Sequence, residues 1–286
     1  MRIALLINAH KNPEQVSKLI RCFDHPNYEV FLIFDKSKEL SNLDQSNLHI
    51  VDFPKKIARG HISQIKAAIY MLQEAHKNNF DRYLLLSGQD LPIKTPDQII
   101  DFFEANKETE FVEIHQLPRE DWYMGGMERI WFYWPDESNS KVKMFFRNVF
   151  LKFQRIIRVR RNTDMTFYGS SNWFNLTNKA VKLMLDYLEK NSHFYNRFEM
   201  TYCADELFFN TLLKLAHPEA TIVSDNLRWT YWEPGAGSPN IITLKDYDSL
   251  FVNNQKLFAR KFDSDVDNDV IEKICMRFCK KVTKTD

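Results

Sequence analysis

Five short apolar runs punctuate the first 115 residues: Ile3–Ile7, Val30–Phe34, Leu48–Val51, Tyr83–Leu86 and Phe111–Ile114. Amphipathic stretches lie among them at Pro13–Phe23, His61–His76 and Pro96–Ala105. Successive strand side chains point to opposite faces, so a run apolar at every position is a strand covered on both sides. Such strands, separated by helices, predict βαβ units and a mixed, mainly parallel central sheet flanked by helices. Asn12-Pro13 and Thr95-Pro96 each place a proline in the first turn of a helix, where its missing N–H is no loss.

The later chain predicts a strand at Ser171–Leu176, helices at Asn178–Lys190 and Ala204–Leu215, and strands at Thr221–Val223 and Leu227–Trp232. A loop follows at Glu233–Ile242, and a closing helix at Val266–Lys281. No linker or repeat divides these elements, so residues 1–286 read as one compact α/β unit. Its 40 aromatic residues are ample for a large core and exclude a disordered chain. A net charge of +1 gives no global field for nucleic acid. The exception is an insertion at 141–161, with eight basic and no acidic residues interleaved with Phe145, Phe146, Phe150, Phe153, Ile156 and Ile157. That pattern is read in two ways, as a solvated basic face over a packed apolar one or as a surface for anionic membrane.

Cys22, Cys203, Cys275 and Cys279 lack a second Cys/His pair at metal spacing, and their scatter suits a reducing compartment. Cys275 and Cys279, four apart, share a helix face. The apolar start is too short for a signal peptide, and no later run is long enough to span a bilayer.

In a parallel sheet ligands bind beyond the carboxyl ends of the strands. Those ends carry Asn8–His10, Asp35–Lys36, Ser87–Asp90 and Glu113–His115. Neither G-x-G-x-x-G nor G-x-x-x-x-G-K-[ST] occurs, so a Rossmann dinucleotide site and a P-loop are unsupported. Asp205 and Glu206 open a helix, where carboxylates either stabilise the first turn or, as general base, take a proton from a hydroxyl. Arg260 and Lys261 lie between Phe258 and Phe262, either snorkelling over them or neutralising a departing phosphate. Asp263, Asp265 and Asp267 give D-x-D spacing, but directly ahead of a helix, where aspartates serve as caps; no metal site is assigned. Trp229 and Tyr231 fall on one face of a strand, a platform for a sugar ring or ordinary core packing.

Five ordered blocks, SGQDLPIKT (87–95), YGSSNWFNLT (168–177), ADELFFNTLL (204–213), LRWTYWE (227–233) and LFARKFDSDVD (257–267), resemble the core-2/I-branching β-1,6-N-acetylglucosaminyltransferase family. That family also contains peptide O-xylosyltransferases. The resemblance implies a GT-A type nucleotide-sugar fold and an inverting, metal-independent glycosyltransferase with no cofactor. It implies Glu206 as catalytic base, with Lys261 and Arg260 on the UDP diphosphate. His10, Asp35 and Asp90 sit where the donor would bind, and Glu113, Arg129, Trp229 and Tyr231 match acceptor positions. One diphosphate arginine of the family has no counterpart in the 234–239 loop, and Arg260 or Arg228 is read as its substitute.

The implied reaction moves a sugar, GlcNAc in the first instance, from a UDP-sugar to a C6 hydroxyl of an acceptor glycan, as in polysaccharide biosynthesis. The alternatives are transfer from UDP-xylose and a non-catalytic carbohydrate- or membrane-binding module. Lacking the animal members' anchor and stem, the chain resembles a bacterial, cytoplasmic relative, with peripheral contact to the inner membrane face through 141–161 and no nucleic-acid partner.

Overall fold

The structure, a computed structural model, describes residues 1–40, 43, 45–58, 60–135, 141–161, 164–252 and 255–279. The chain begins with β1 (Ile3–Ala9), α1 (Pro13–Arg21), β2 (Tyr28–Phe34), β3 (Leu48–Ile50), α2 (Ile62–His76), β4 (Arg82–Ser87), β5 (Asp90–Pro92), α3 (Pro96–Ala105) and β6 (Thr109–Val112). The middle holds β7 (His115–Gln116), α4 (Glu128–Trp131), α5 (Lys141–Ile156), β8 (Tyr168–Gly169), β9 (Phe174–Thr177), α6 (Asn178–Lys190) and α7 (Phe194–Phe198). It closes with α8 (Asp205–Ala216), β10 (Thr221–Val223), β11 (Arg228–Trp229), β12 (Phe258–Arg260) and α9 (Asn268–Phe278). The predicted end of the closing helix, at Lys281, lies outside the described residues.

Among the described residues, seven strands form the main sheet in the order β10-β6-β9-β4-β1-β2-β3. All run parallel except β9, which opposes β4 and β6. This is the mixed, mainly parallel sheet flanked by helices that the apolar runs predict. Residue parity decides what each face buries. Ala4 and Leu6 of β1 face a core with α2, α6 and α8, whereas Ile3, Leu5 and Ile7 face a second core with α1, α3 and α9. Side-chain caps set several helix starts: Thr95 and Gln98 form a capping box on α3, and Thr177 accepts from the Ala180 amide at α6.

The strand order reverses direction between β1 and β4, and that reversal opens a crevice beyond their carboxyl ends. A small sheet, β11-β12-β5, crosses there, with β12 antiparallel to β5. Gly88 permits this crowding: a Cβ there would stand 2.9 Å from Val16 Cγ2 and 3.0 Å from Ala9 Cβ. A β7–β8 ribbon lies against the start of α8.

The cysteines correct their sequence reading. Cys22, at the end of α1, is disulfide-bonded to Cys279, just past α9, across a separation of 257 residues. Cys275 is a free thiol, but its Sγ joins theirs in a cluster within 4.8 Å. Burial pushes the Cys275 thiol up to about 11.

Candidate active site

Cations gather at the crevice. Asp90 of β5 stands opposite Arg260 of β12, and the Arg260 Nη1 lies 3.4 Å from Asp90 Oδ1 and 2.5 Å from Ser87 Oγ. Asp90 itself is fully buried, and its Oδ2 accepts from the Ser87 amide at 2.5 Å and the Ser87 hydroxyl at 2.8 Å. A carboxylate so enclosed works as a scaffold that aims Arg260. Arg228 is buried behind it, donating to the carbonyls of Asn226 and Leu85, and burial lowers its pKa to about 10 against the opposing pull of Asp90. So buried, Arg228 is not placed to meet a diphosphate as the substitute the sequence suggests, whereas Arg260 is only partly buried. His10, directly after β1, is held below the ordinary imidazole range by burial, then by the positive charges of Lys11, Lys261 and Arg260. Those four side chains therefore share one local positive field. Asp35 is exposed immediately past β2.

The D-x-D run has other partners. Lys11 Nζ reaches Asp263 Oδ2 at 2.5 Å and Asn12 Nδ2 reaches Asp263 Oδ1 at 2.9 Å, while Asp267 caps α9 by accepting from the Val270 amide at 3.1 Å.

A second cluster is built around α8. Glu206 lies in its first turn, and Arg129 Nη1 of α4 meets Glu206 Oε2 at 2.5 Å. The Glu206 side chain stays 36% exposed, enough for a ligand to reach it. Trp122 supports the pair, with Arg129 Cζ 4.0 Å and Arg119 Cζ 4.9 Å from its ring centroid. Gly169 of β8 brings the ribbon close: a Cβ there would stand 2.5 Å from Leu207 Cδ2 and 3.0 Å from the Glu206 carbonyl. That carbonyl accepts from the Ser170 amide at 3.1 Å. Asp205 accepts from Asn172 Nδ2 at 3.2 Å and is pushed up to about 7, by burial first and then by the charge of Glu206. Glu113, just past β6, accepts from Ser170 Oγ at 2.6 Å and from Asn226 Nδ2 at 2.9 Å. Cys203 and Leu227 flank the two clusters at φ 46° and 60°, left-handed conformations that non-glycine residues adopt at a cost of about 1–3 kcal/mol.

One stretch between β8 and β9 joins both clusters. Ser170 bonds Glu113, Ser171 Oγ accepts from Asn226 at 3.1 Å, Asn172 bonds Asp205, and Trp173 stacks under Arg260 at 4.5 Å and Arg228 at 5.2 Å. None of these four residues has a role that the sequence alone assigns. The only signal was the density of small polar side chains ahead of a tryptophan in a block already singled out.

Of the residues expected at the site, Glu206 and Arg129 touch each other, and Glu113 joins them through the Ser170 link and the β8 edge. Arg260, Lys261 and His10 gather at the crevice. Trp229 and Tyr231 do not share a strand: β11 ends at Trp229, which packs on the second core, and Tyr231 lies past it, 50% exposed.

A family model described as "Core-2/I-Branching enzyme" matches residues 3–256. Curated relatives include "Xylosyltransferase 2" of Rattus norvegicus, 22% identical over 95% of this chain and 33% of its own length. "Xylosyltransferase 2" of Homo sapiens is 23% identical over 95% of this chain and 33% of its own. "Xylosyltransferase oxt" of Drosophila pseudoobscura pseudoobscura is 23% identical over 95% and 32%. The chain thus spans about a third of the length of these relatives.

Proposed function

The chain belongs to the core-2/I-branching enzyme family, and from that membership we propose that it transfers a sugar from a UDP-sugar to a hydroxyl of an acceptor glycan with inversion at the anomeric carbon. Glu206 is the general base. The observation that carries this reading is its setting: a partly exposed carboxylate in the first turn of α8, oriented through Oε2 by Arg129 on the Trp122 ring. Held by that oxygen, the carboxylate presents Oε1 to the acceptor hydroxyl, in our reading the C6 hydroxyl of a hexose. One carboxylate suffices, because a single in-line displacement forms no covalent intermediate. General-base help contributes on the order of 10²–10⁴ in rate, and alignment of the two substrates contributes the rest.

Arg260 and Lys261, with His10 and Lys11 beside them, offset the charge that grows on the departing diphosphate. In this reading no divalent metal takes part: Asp263 is engaged by Lys11 and Asn12, and Asp267 by its helix. Asp90 and Arg228 hold Arg260 in place rather than touching the donor, and the Ser170–Trp173 stretch keeps the donor and acceptor clusters in register. GlcNAc is the first reading of the donor sugar. Xylose is the second, favoured by the names of the relatives.

A donor screen with UDP-GlcNAc and UDP-xylose separates the two sugars. Glu206→Gln is expected to abolish transfer while calorimetry finds UDP affinity unchanged, and activity is expected to survive excess EDTA. Normal turnover by the variant would remove Glu206 from the base role, and reversible loss in EDTA would return a metal to the mechanism.

A further inference from the structure

Helix α5 turns its apolar side away from the protein. It touches the body through Leu151 and Gln154, both buried, and Arg147, partly buried, which lie three and four residues apart on one stripe. Gln154 trades hydrogen bonds with the Tyr133 backbone at 2.8 Å in both directions, and Arg155 pairs with Glu128 at 3.0 Å. At ~100° per residue, Val142, Phe145, Phe146, Val149, Phe153 and Ile156 fall within roughly a third of a turn on the opposite side. All six are exposed, Phe145 and Phe146 at 64% and Ile156 at 78%. Lys143 and Lys152 border this stripe on either side, both exposed. Residues 141–161 carry no acidic side chain to oppose them.

Surface helices of water-bathed proteins show the reverse arrangement, apolar side in and charges out. An apolar stripe edged by lysines matches the boundary of a bilayer, where acyl chains take the rings and anionic headgroups take the cations. Among the described residues no helix is long and apolar enough to cross a membrane, so α5 would lie in the interface plane. A second copy of the chain would instead bring two basic borders together. We propose that α5 is an interfacial helix that seats this protein on an anionic lipid surface. The surface lies beside the acceptor cluster, since Tyr133 and Glu128 belong to the segment that carries Arg129.

The test is co-sedimentation of the full chain with vesicles of phosphatidylcholine, with and without phosphatidylglycerol. Binding is expected only with the anionic lipid and should weaken as salt shortens the Debye length. Phe145→Ser/Phe146→Ser/Phe153→Ser should lower the partition coefficient at least about tenfold, because each ring removes a large apolar area from water on insertion. Its circular dichroism and melting should match the parent, because these side chains touch no core. Lys143→Glu/Lys152→Glu should cut binding while sparing the fold. Equal pelleting of parent and triple variant, or no pelleting with anionic vesicles, overturns the proposal. So does light scattering that finds a dimer abolished by the triple substitution without any vesicle binding, which would assign the face to a second copy.

Discussion

Gly169→Ala is the smallest change that should disturb the chemistry without touching a reacting group. A Cβ at 169 would meet Leu207 Cδ2 at 2.5 Å and the Glu206 carbonyl at 3.0 Å, where ordinary contact begins at 3.4 Å. Leu207 would have to retreat by about 0.9 Å and the Glu206 backbone by about 0.4 Å to reach van der Waals separation. Leu207 is fully buried, so the retreat pushes into a filled core, at a cost of about 1–3 kcal/mol. For a chain of this size that lowers the melting temperature by about 2–6 °C. The larger consequence is for kcat. If Glu206 is the general base proposed above, its displacement by a few tenths of an ångström, with its Arg129 contact strained, should slow transfer by about 10- to 100-fold. UDP affinity by calorimetry should hold, because the side chains proposed for the donor, Arg260 and His10, stand on β12 and after β1. Leu207→Val beside it should recover part of the loss, since the crowded atom is Cδ2. Parental kcat and melting in the alanine variant would refute the idea that this glycine sets the position of Glu206.

Two further outcomes follow from the same contacts. Burial, then the charge of Glu206, pushes Asp205 up to about 7 from an ordinary 3.8, so the folded chain binds more protons than the unfolded one between those values and stability is lost as pH rises across that window. Asp205→Asn cannot ionise, so its urea midpoint should pull ahead of the parent between about pH 4 and pH 7 and keep that lead above it, and parallel profiles would contradict the burial argument. Trp173→Ala removes the ring beneath Arg260 and Arg228, each contact worth about 0.5–2 kcal/mol, and should weaken UDP binding by about tenfold, measured by calorimetry, while the affinity for acceptor changes little.

The parts legible in the sequence are those whose physics is local. Helix α6 has the predicted bounds, Asn178–Lys190, because Thr177 caps it and its apolar residues recur at helical spacing. The strands β1, β2 and β4 are runs buried on both faces and need no partner to be recognised. What escapes is short and non-local. Strands β5, β8, β11 and β12 have two or three residues each, and β12 finds β5 across some 170 positions. A D-x-D run carries no mark that Asp263 will face Lys11, and Asp90 none that it will be sealed under two arginines. The basic aromatic segment was legible as amphipathic, yet which side would meet the protein depended on the Gln154–Tyr133 clasp. At the site, the resemblance pointed to Glu206, and the geometry added the Ser170–Trp173 stretch.

The closing of the crevice has a consequence for the order in which this chain matures. His10, Lys11, Gln15 and Cys22 emerge early in synthesis, but Arg260, the backbone of Phe262, Asp263 and Cys279, which complete their surroundings, follow much later. Glu113, Arg129, the Ser170–Trp173 stretch and Glu206 are all translated before them. The residues proposed to activate the acceptor hydroxyl are thus translated before the surroundings proposed for the nucleotide are complete, and a chain that stopped ahead of β12 would lack Arg260, the Asp263 partner of Lys11 and the α9 share of the second core.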